Sequence, residues 1–200
     1  GELTVPEVEQ TKRHGVYIVG YTDGTFGPSR SMTRSEAAAI FARLLAEKNG
    51  DTISTAANTK FADIPAHAWY SGYVKYLSNN GITYGKSKTI FAPNDAITRA
   101  EFTTMAVRFF DVYGDGDAEI MEQFSGFNDV SSGYWAAEYI KYAALHGWIN
   151  GYGDGSFHAD REINRAEVVT IVNRLLGREA DEDYIADNLR KLNTFPDVTK

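Results

Sequence analysis

Five stretches of the chain carry apolar residues at intervals of three and four positions, the spacing expected for one buried face of a helix. Three of them lie at 40–45, 102–110 and 168–176, and two more lie at 73–77 and 139–143. Glycine-rich turns and short extended segments separate these stretches. The pattern predicts a mainly α protein built from helix-turn-helix units.

A five-residue phrase precedes three of the predicted helices. It reads Met-Thr-Arg-Ser-Glu at 32–36, Ile-Thr-Arg-Ala-Glu at 97–101 and Ile-Asn-Arg-Ala-Glu at 163–167. The arginines of successive copies are 65 and 66 positions apart, and such a fixed period indicates one supersecondary unit used three times. Because one unit of this length could bury only a small core, we expect a single pseudo-threefold domain around a central three-helix bundle.

Helix capping accounts for the first and last polar residues of the phrase. Thr33 and Glu36 have the spacing of a capping box, in which each side chain bonds the backbone N–H of the other residue. The same spacing recurs at 98–101 and, with asparagine as the cap, at 164–167. These residues are therefore predicted to be structural.

Capping does not explain the arginine of the phrase. Arg34, Arg99 and Arg165 each take the first helical position, where the helix dipole makes a cation mildly unfavourable. Either the guanidinium and the free N–H groups of the helix end form a site for carboxylate or phosphate, or each arginine pairs with a nearby carboxylate such as Asp23 or Asp154. On the first hypothesis, replacing all three arginines by alanine should abolish binding without unfolding the protein.

A glycine-rich turn precedes each phrase, at 20–26, 84–91 and 151–157. The Asp-Gly pairs of the first and third turns are strong turn signals, and glycine also allows a ligand to approach the backbone closely. In the second turn, Lys86-Ser87-Lys88 replaces the Asp-Gly pair. We expect that site either to be more cationic than the others or to bind differently.

Two of the units also carry a first half, which opens with Phe-x-Asp at 61–63 and 127–129. Trp69 and Trp135 follow these openings, and we expect their rings to form core or groove wall rather than a free stacking platform. The chain starts within a unit, at 14–18, and another Phe-x-Asp occurs at 195–197. One unit is therefore predicted to be divided between the two ends of the chain, which we expect to be a fragment of a longer protein.

Composition narrows the classes of function. The net charge is −7 with scattered basic residues, which argues against nucleic-acid binding. Aromatic residues make up 13% of the chain, and exposed tyrosine and tryptophan suit stacking on carbohydrate. The absence of cysteine excludes disulfides and thiolate metal sites. No run approaches the ~20 apolar residues of a membrane span, so we expect no membrane insertion.

In its repeated phrases, turns and openings the chain resembles the S-layer homology (SLH) domain family. The resemblance lies in the Phe-x-Asp-Val/Ile openings, the tryptophan-bearing first helices, the Gly-Tyr-x-Asp-Gly-Thr/Ser-Phe turns and the Thr-Arg-Ala-Glu phrases. It covers modules at approximately 14–49, with the first half missing, 59–115 and 125–178, and 179–200 leads into a further half-module. It implies a three-pronged, pseudo-threefold monomeric domain on the bacterial cell surface, with grooves between neighbouring modules.

The resemblance also implies a function, which is non-catalytic anchoring to the cell wall. The partner it implies is an anionic secondary cell-wall polymer, often ending in a pyruvate ketal on an amino sugar, or else peptidoglycan itself. In the family the arginine of the phrase meets the anionic group, and no cofactor or metal is expected. The ligand-binding residues predicted here are Arg34, Arg99, Arg165, Gly20, Tyr21, Asp23, Gly85, Lys86, Gly151, Tyr152, Asp154, Trp69 and Trp135.

Two other functions have less support from the residues. Segment 111–122 resembles a calcium loop of a structural or adhesion module, but Tyr113 occupies its third position, which favours an acidic linker. A polysaccharide-acting enzyme is disfavoured because the chain lacks a nucleophile elbow, a P-loop and a dinucleotide fingerprint. A short helix is also predicted at 184–192, and no role is predicted for 1–12.

Overall fold

The computed structural model describes residues 16–114, 124–179 and 195–198. Within these ranges the regular elements are five helices, and no strand is present, so the prediction of a mainly α protein is confirmed. The helices are α1 (Arg34–Asn49), α2 (Ser71–Asn79), α3 (Arg99–Tyr113), α4 (Ala137–Leu145) and α5 (Arg165–Leu175). The predicted helix at 184–192, most of the calcium-like segment and the start of the first unit at 14–15 lie outside the described residues.

The three predicted capping boxes are confirmed at the starts of α1, α3 and α5. At α1 the Glu36 amide donates to the Thr33 hydroxyl at 3.2 Å, and the Thr33 amide donates to the Glu36 carboxylate at 2.8 Å. Asn164 replaces the threonine at α5 and accepts from the Glu167 amide at 2.9 Å. Each cap contributes about 1 kcal/mol to stability and fixes where its helix begins.

A closed ring of backbone hydrogen bonds joins the three phrases just before their helices. The Met32 amide donates to the Ile163 carbonyl at 3.0 Å, the Ile163 amide to the Ile97 carbonyl at 3.0 Å, and the Ile97 amide to the Met32 carbonyl at 2.9 Å. The three side chains are fully buried. This cyclic order is what a threefold arrangement would produce, and it brings the starts of α1, α3 and α5 together.

The turn of the following copy also closes each of these helix ends. The amides of Arg34 and Ser35 donate to the carbonyls of Asp95 and Pro93, both at 3.0 Å. The equivalent bonds run from α3 to the carbonyls of Arg161 and Ala159, and from α5 to those of Arg30 and Pro28. The expectation of free N–H groups for an anion is therefore wrong, because neighbouring copies already use these donors.

The core lies between α3 and its neighbours and extends through all three copies. α2 packs on α1 and α4 packs on α3, so the first helix of one copy covers the second helix of the preceding copy. The Phe41 ring lies 5.2 Å from that of Phe102 and 5.0 Å from that of Phe109, between centroids. α3 contacts both α1 and α5, whereas the Cα atoms of α1 and α5 remain more than 8 Å apart.

The Phe-x-Asp openings hold the glycine-rich turns in place. The Asp129 carboxylate accepts the amides of Phe157 and His158, both at 2.7 Å. The Phe127 ring lies so close to the turn that a Cβ on Gly151 would be 2.4 Å from it. Phenylalanine rings also meet Gly20 and Gly85, so at these three positions the close approach is made by a ring of the protein.

The opening at 195–197 docks on the first turn in the same way. The Asp197 carboxylate accepts the amides of Phe26 and Gly27 at 2.9 and 2.7 Å, and the ring centroids of Phe195 and Phe26 are 5.5 Å apart. The contact joins residues separated by about 170 positions. This contact agrees with the predicted division of one unit between the two ends.

These carboxylates make stability depend on pH. Burial raises the pKa of Asp129, but the hydrogen bonds from the Phe157 and His158 amides outweigh it, so the pKa lies below its usual value. The amide of Phe26 likewise lowers the pKa of Asp197. Because the folded pKa lies below the unfolded value of about 3.9, this stabilisation is present above pH ~4 and is lost as the pH falls towards the folded pKa.

Asp129→Asn tests this linkage. At pH 7 the variant should be less stable than the wild type by about 1–2 kcal/mol, which is below the ~1.5–3 kcal/mol of a hydrogen bond to a charged group because the Asp129 side chain is 31% exposed. Near pH 3 the difference should shrink, because this pH lies below the unfolded pKa of about 3.9 and the unfolded wild type then binds a proton that the folded carboxylate resists. Urea unfolding at both pH values measures this, and an equal difference at the two pH values would contradict it.

Among the described residues, no helix has the length and apolar character needed to cross a membrane.

Candidate ligand-binding grooves

Three cavities lie where one copy meets the next, and each contains an arginine of the repeated phrase. We name them by that residue. The Arg165 groove has a volume of about 460 Å³, the Arg99 groove about 320 Å³ and the Arg34 groove about 90 Å³. In each, the start of the next copy's helix supplies a glutamate to the opposite wall: Glu36, Glu167 and Glu101 respectively.

The three guanidinium groups are held in matching positions. The arginines are only 4–5% exposed. Their Nε atoms donate to the carbonyl of the phenylalanine that ends the adjacent turn, at 2.7 Å for Arg34, 2.9 Å for Arg99 and 2.8 Å for Arg165. Each arginine therefore ties its own helix to the turn of the following copy.

The Nη1 atoms face the glutamates of the phrase rather than Asp23 or Asp154. Arg34 and Arg99 meet Glu101 and Glu167 at 2.9 Å. The other oxygen of each glutamate accepts from its own capping residue. The alternative that each arginine pairs with a carboxylate is therefore supported, but the partner is a glutamate of the phrase and not Asp23 or Asp154.

The Arg165 groove has the loosest of the three ion pairs. Nη1 of Arg165 lies 3.9 Å from Glu36, beyond hydrogen-bond distance, while Nη2 donates to the Val19 carbonyl at 2.6 Å. The Tyr21 ring centroid lies 4.7 Å from this guanidinium. An anion entering this groove would meet less competition from the protein's own carboxylate than in the other two.

The Arg99 groove contains a denser polar network. Tyr152 donates its hydroxyl to Glu167 at 3.1 Å, and Arg161 contacts both of these residues. Burial lowers the pKa of Arg99, while Tyr152 and Glu167 oppose the shift. Two arginines share one glutamate here, so the groove keeps a positive excess.

Exposed tryptophans form a wall in two of the three grooves. Trp69 lines the Arg165 groove and is 54% exposed, and Trp135 lines the Arg34 groove and is 56% exposed. The adjacent Tyr134 donates to Asp160 at 2.6 Å, and burial together with this bond raises the pKa of Tyr134 to about 12. A buried tryptophan, Trp148, lines the Arg99 groove instead.

Nine of the thirteen predicted ligand residues line a groove. These are Gly20, Tyr21, Trp69 and Arg165 in the Arg165 groove, Arg34, Gly85 and Trp135 in the Arg34 groove, and Arg99 and Tyr152 in the Arg99 groove.

The other four residues, Asp23, Lys86, Gly151 and Asp154, do not line these cavities. Asp23 and Asp154 instead close their own turns by accepting from residues two positions on. Lys86 pairs with Asp95 at 2.9 Å. The Arg34 groove, which this turn borders, therefore gains no cation from Lys86.

Sequence reasoning missed two sets of groove residues. One is the glutamates, which were explained by capping alone. The other is an arginine nine positions after each phrase arginine, at Arg43, Arg108 and Arg174, which lines the same groove as the neighbouring copy's phrase arginine. Their equal spacing in all three copies was the signal that could have identified them.

Within the described residues, no group of three or more histidine, aspartate or glutamate side chains is arranged to hold a metal ion.

Comparison with known proteins agrees with this architecture. The sequence profile of the S-layer homology domain matches residues 5–38, 60–103 and 126–169. Over 173 residues the chain is 36% identical to cell surface glycoprotein 1 of Acetivibrio thermocellus, which covers 82% of this chain and 7% of that protein.

Two further relatives are similar over most of the chain. The cellulosome-anchoring protein of Acetivibrio thermocellus is 32% identical over 176 residues, covering 87% of this chain and 38% of that protein. The surface-layer 125 kDa protein of Lysinibacillus sphaericus is 32% identical over 163 residues, covering 80% and 13%. The chain thus spans less than two fifths of the length of each of these relatives.

Proposed function

The chain belongs to the S-layer homology domain family of cell-surface anchoring modules, and on that premise we propose that it binds an anionic secondary cell-wall polymer without catalysing a reaction. The three copies act together as one monomeric domain in this proposal. The predicted location on the bacterial cell surface is confirmed by relatives that are cell-surface and surface-layer proteins. The polymer, and the pyruvate ketal at its end, belong to the proposal.

The observation that carries the proposal is a buried arginine beside an exposed tryptophan in one groove. Arg165 is 4% exposed and Trp69 is 54% exposed, and both line the largest of the three grooves. A guanidinium shielded from water forms stronger charge-assisted bonds to a carboxylate than one on the surface. A flat, exposed indole ring offers the complementary contact for the apolar face of a sugar.

The arginine and the tryptophan recognise different parts of the ligand in this proposal. The arginine selects a sugar that carries a carboxylate, such as a pyruvate ketal, and the tryptophan stacks on the ring that carries it. Glu36 opposes the arginine and sets a limit on affinity, because the ligand carboxylate must approach a guanidinium that already faces an anion. Several such sites on one polymer layer would raise avidity without new contacts.

Co-sedimentation with purified cell walls tests the proposal. The protein should pellet with intact walls and stay in solution after mild acid has removed the secondary polymer. Tubes without walls control for self-aggregation. Binding that survives removal of the polymer would contradict the proposal and indicate peptidoglycan as the ligand, and absence of binding to either preparation would also contradict it.

A further inference from the structure

The Arg165 groove and the Arg34 groove contain the same kinds of residue but differ greatly in volume. Both hold a phrase arginine, a glutamate, an exposed tryptophan and a second arginine, Arg43 in one and Arg108 in the other. Their volumes are about 460 and 90 Å³. The second arginines differ between the two grooves in one aromatic partner.

Arg108 lies between two tyrosines in the Arg34 groove. Its Nε and Nη2 atoms donate to the Tyr139 hydroxyl at 3.3 and 3.2 Å. Its guanidinium carbon is 4.8 Å from the Tyr84 ring centroid and 5.0 Å from that of Tyr139, within the range of cation–π attraction. Both tyrosines thus hold the Arg108 side chain, which lines this groove.

Arg43 has an equivalent of one of these two tyrosines in the Arg165 groove, since Tyr73 corresponds to Tyr139. Its Nη1 atom donates to the Tyr17 carbonyl at 3.2 Å, and the guanidinium carbon lies 5.1 Å from the Tyr73 ring centroid. The sequence difference lies one position before the turn glycine, where Val19 corresponds to Tyr84. Valine supplies no ring equivalent to Tyr84, so the second cation–π contact of Arg108 has no counterpart at this position.

The lining of the Arg34 groove also contains a buried hydroxyl group. Thr104 lines this groove, and its Oγ1 atom is buried without a hydrogen-bond partner among the described residues. Ala39 occupies the matching position in the Arg165 groove. An unpaired buried hydroxyl is costly, and opening the groove would give it a partner in solvent or ligand.

We infer that Arg108, stacked on Tyr84, closes the Arg34 groove, so that the anionic sugar enters the Arg165 groove in preference to it. The looser pair between Arg165 and Glu36, at 3.9 Å against 2.9 Å for Arg34 and Glu101, acts in the same direction. This inference rests on the proposed function, since it assigns that function to one groove over another. It makes Arg108 and Tyr84 determinants of which groove is occupied.

The tryptophans provide a separate reporter for each groove. The chain contains three, of which Trp69 and Trp135 line the two grooves and Trp148 is buried. The whole chain labelled with 5-fluorotryptophan gives one ¹⁹F NMR signal per residue, assigned by replacing each tryptophan with phenylalanine. The probe is a pyruvate-ketal monosaccharide of an N-acetylated amino sugar.

In the wild type we expect the Trp69 signal to respond at a probe concentration about fivefold lower than the Trp135 signal, the upper end for one cation–π contact to an exposed ring such as Tyr84. Tyr84→Val should bring the two midpoints together by opening the Arg34 groove. Arg108→Gln provides a second test that leaves Tyr84 in place. The reciprocal variant, Val19→Tyr, should weaken the Trp69 response by supplying a ring for Arg43.

Equal midpoints for Trp69 and Trp135 in the wild type would overturn the inference while leaving the proposed function standing. An unresponsive Trp135 in both Tyr84→Val and Arg108→Gln, with thermal melting showing folded protein, would also overturn it. The polymer released from walls is titrated in the same way as a second probe. Absence of a response at both tryptophans to both probes would overturn the inference and the proposed function together.

Discussion

A variant with alanine at Arg34, Arg99 and Arg165 is expected to unfold, so its failure to bind cell walls would not identify a ligand contact. Each arginine is nearly fully buried, donates to a turn carbonyl of the neighbouring copy and faces a glutamate. Removing one partner of a buried ion pair costs about 3–5 kcal/mol, and the partly exposed glutamates place these sites near the lower value. Three such losses approach the whole stability of an ordinary domain, about 5–15 kcal/mol.

These contacts argue against the expectation from sequence that the triple variant would lose binding and keep its fold. Circular dichroism and thermal melting give the answer before any binding assay. Arg30→Ala is the matched control, because that arginine is half exposed and meets Asp23 only at 3.4 Å. The control should melt close to the wild type, and a folded triple variant with a wild-type melting temperature would contradict the structural role of the arginines.

Removing both exposed tryptophans is expected to abolish most of the binding while leaving the fold intact. Trp69 and Trp135 are more than half exposed, so replacing them with alanine removes little core packing. Aromatic residues at the centre of a binding site typically contribute about 2 kcal/mol or more, which corresponds to about a 30-fold loss of affinity. Trp69→Ala alone should produce the larger share of this loss, since it lines the larger groove.

The measurement is a binding isotherm on purified walls for Trp69→Ala, Trp135→Ala and the double variant. Val112→Ala serves as the control, because Val112 is an exposed apolar residue on α3 that lines none of the three grooves. Its isotherm should match the wild type. A double variant that binds within about twofold of the wild type would exclude the tryptophans from recognition.

The parts of the fold that depend on neighbours in sequence were predictable. The starts of α1, α3 and α5 are each specified by a threonine or asparagine three positions before a glutamate, and all three capping boxes are present. The helices follow from apolar residues at intervals of three and four. Both signals act within one or two helical turns, so they hold whatever surrounds them.

The relations between copies were harder to predict. The pairing of Arg34 with Glu101 joins residues 67 positions apart and cannot be read from the capping pattern, in which Glu101 already has a role. Likewise, the free helix N–H groups expected from each copy alone are used by the neighbouring turn. Capping already explains Glu101, so the sequence contains no separate signal for its contact with Arg34 of the neighbouring copy.

The glycines illustrate the same limit. Gly20, Gly85 and Gly151 were consistent with a turn or with close approach of a ligand. The structure places a phenylalanine ring from a Phe-x-Asp opening against each of them. The three contacts are alike. Each joins segments that are well separated along the chain, so only the folded structure reveals the partner.

Calorimetric titration of the whole chain with purified secondary cell-wall polymer, before and after selective hydrolysis of its pyruvate ketals, tests whether the grooves read an anionic sugar. We expect measurable binding to the intact polymer and a loss of about tenfold or more once the ketal carboxylates are gone, because the arginine then has no anion to bind. Unchanged affinity for the hydrolysed polymer would contradict the claim that these grooves read an anionic sugar.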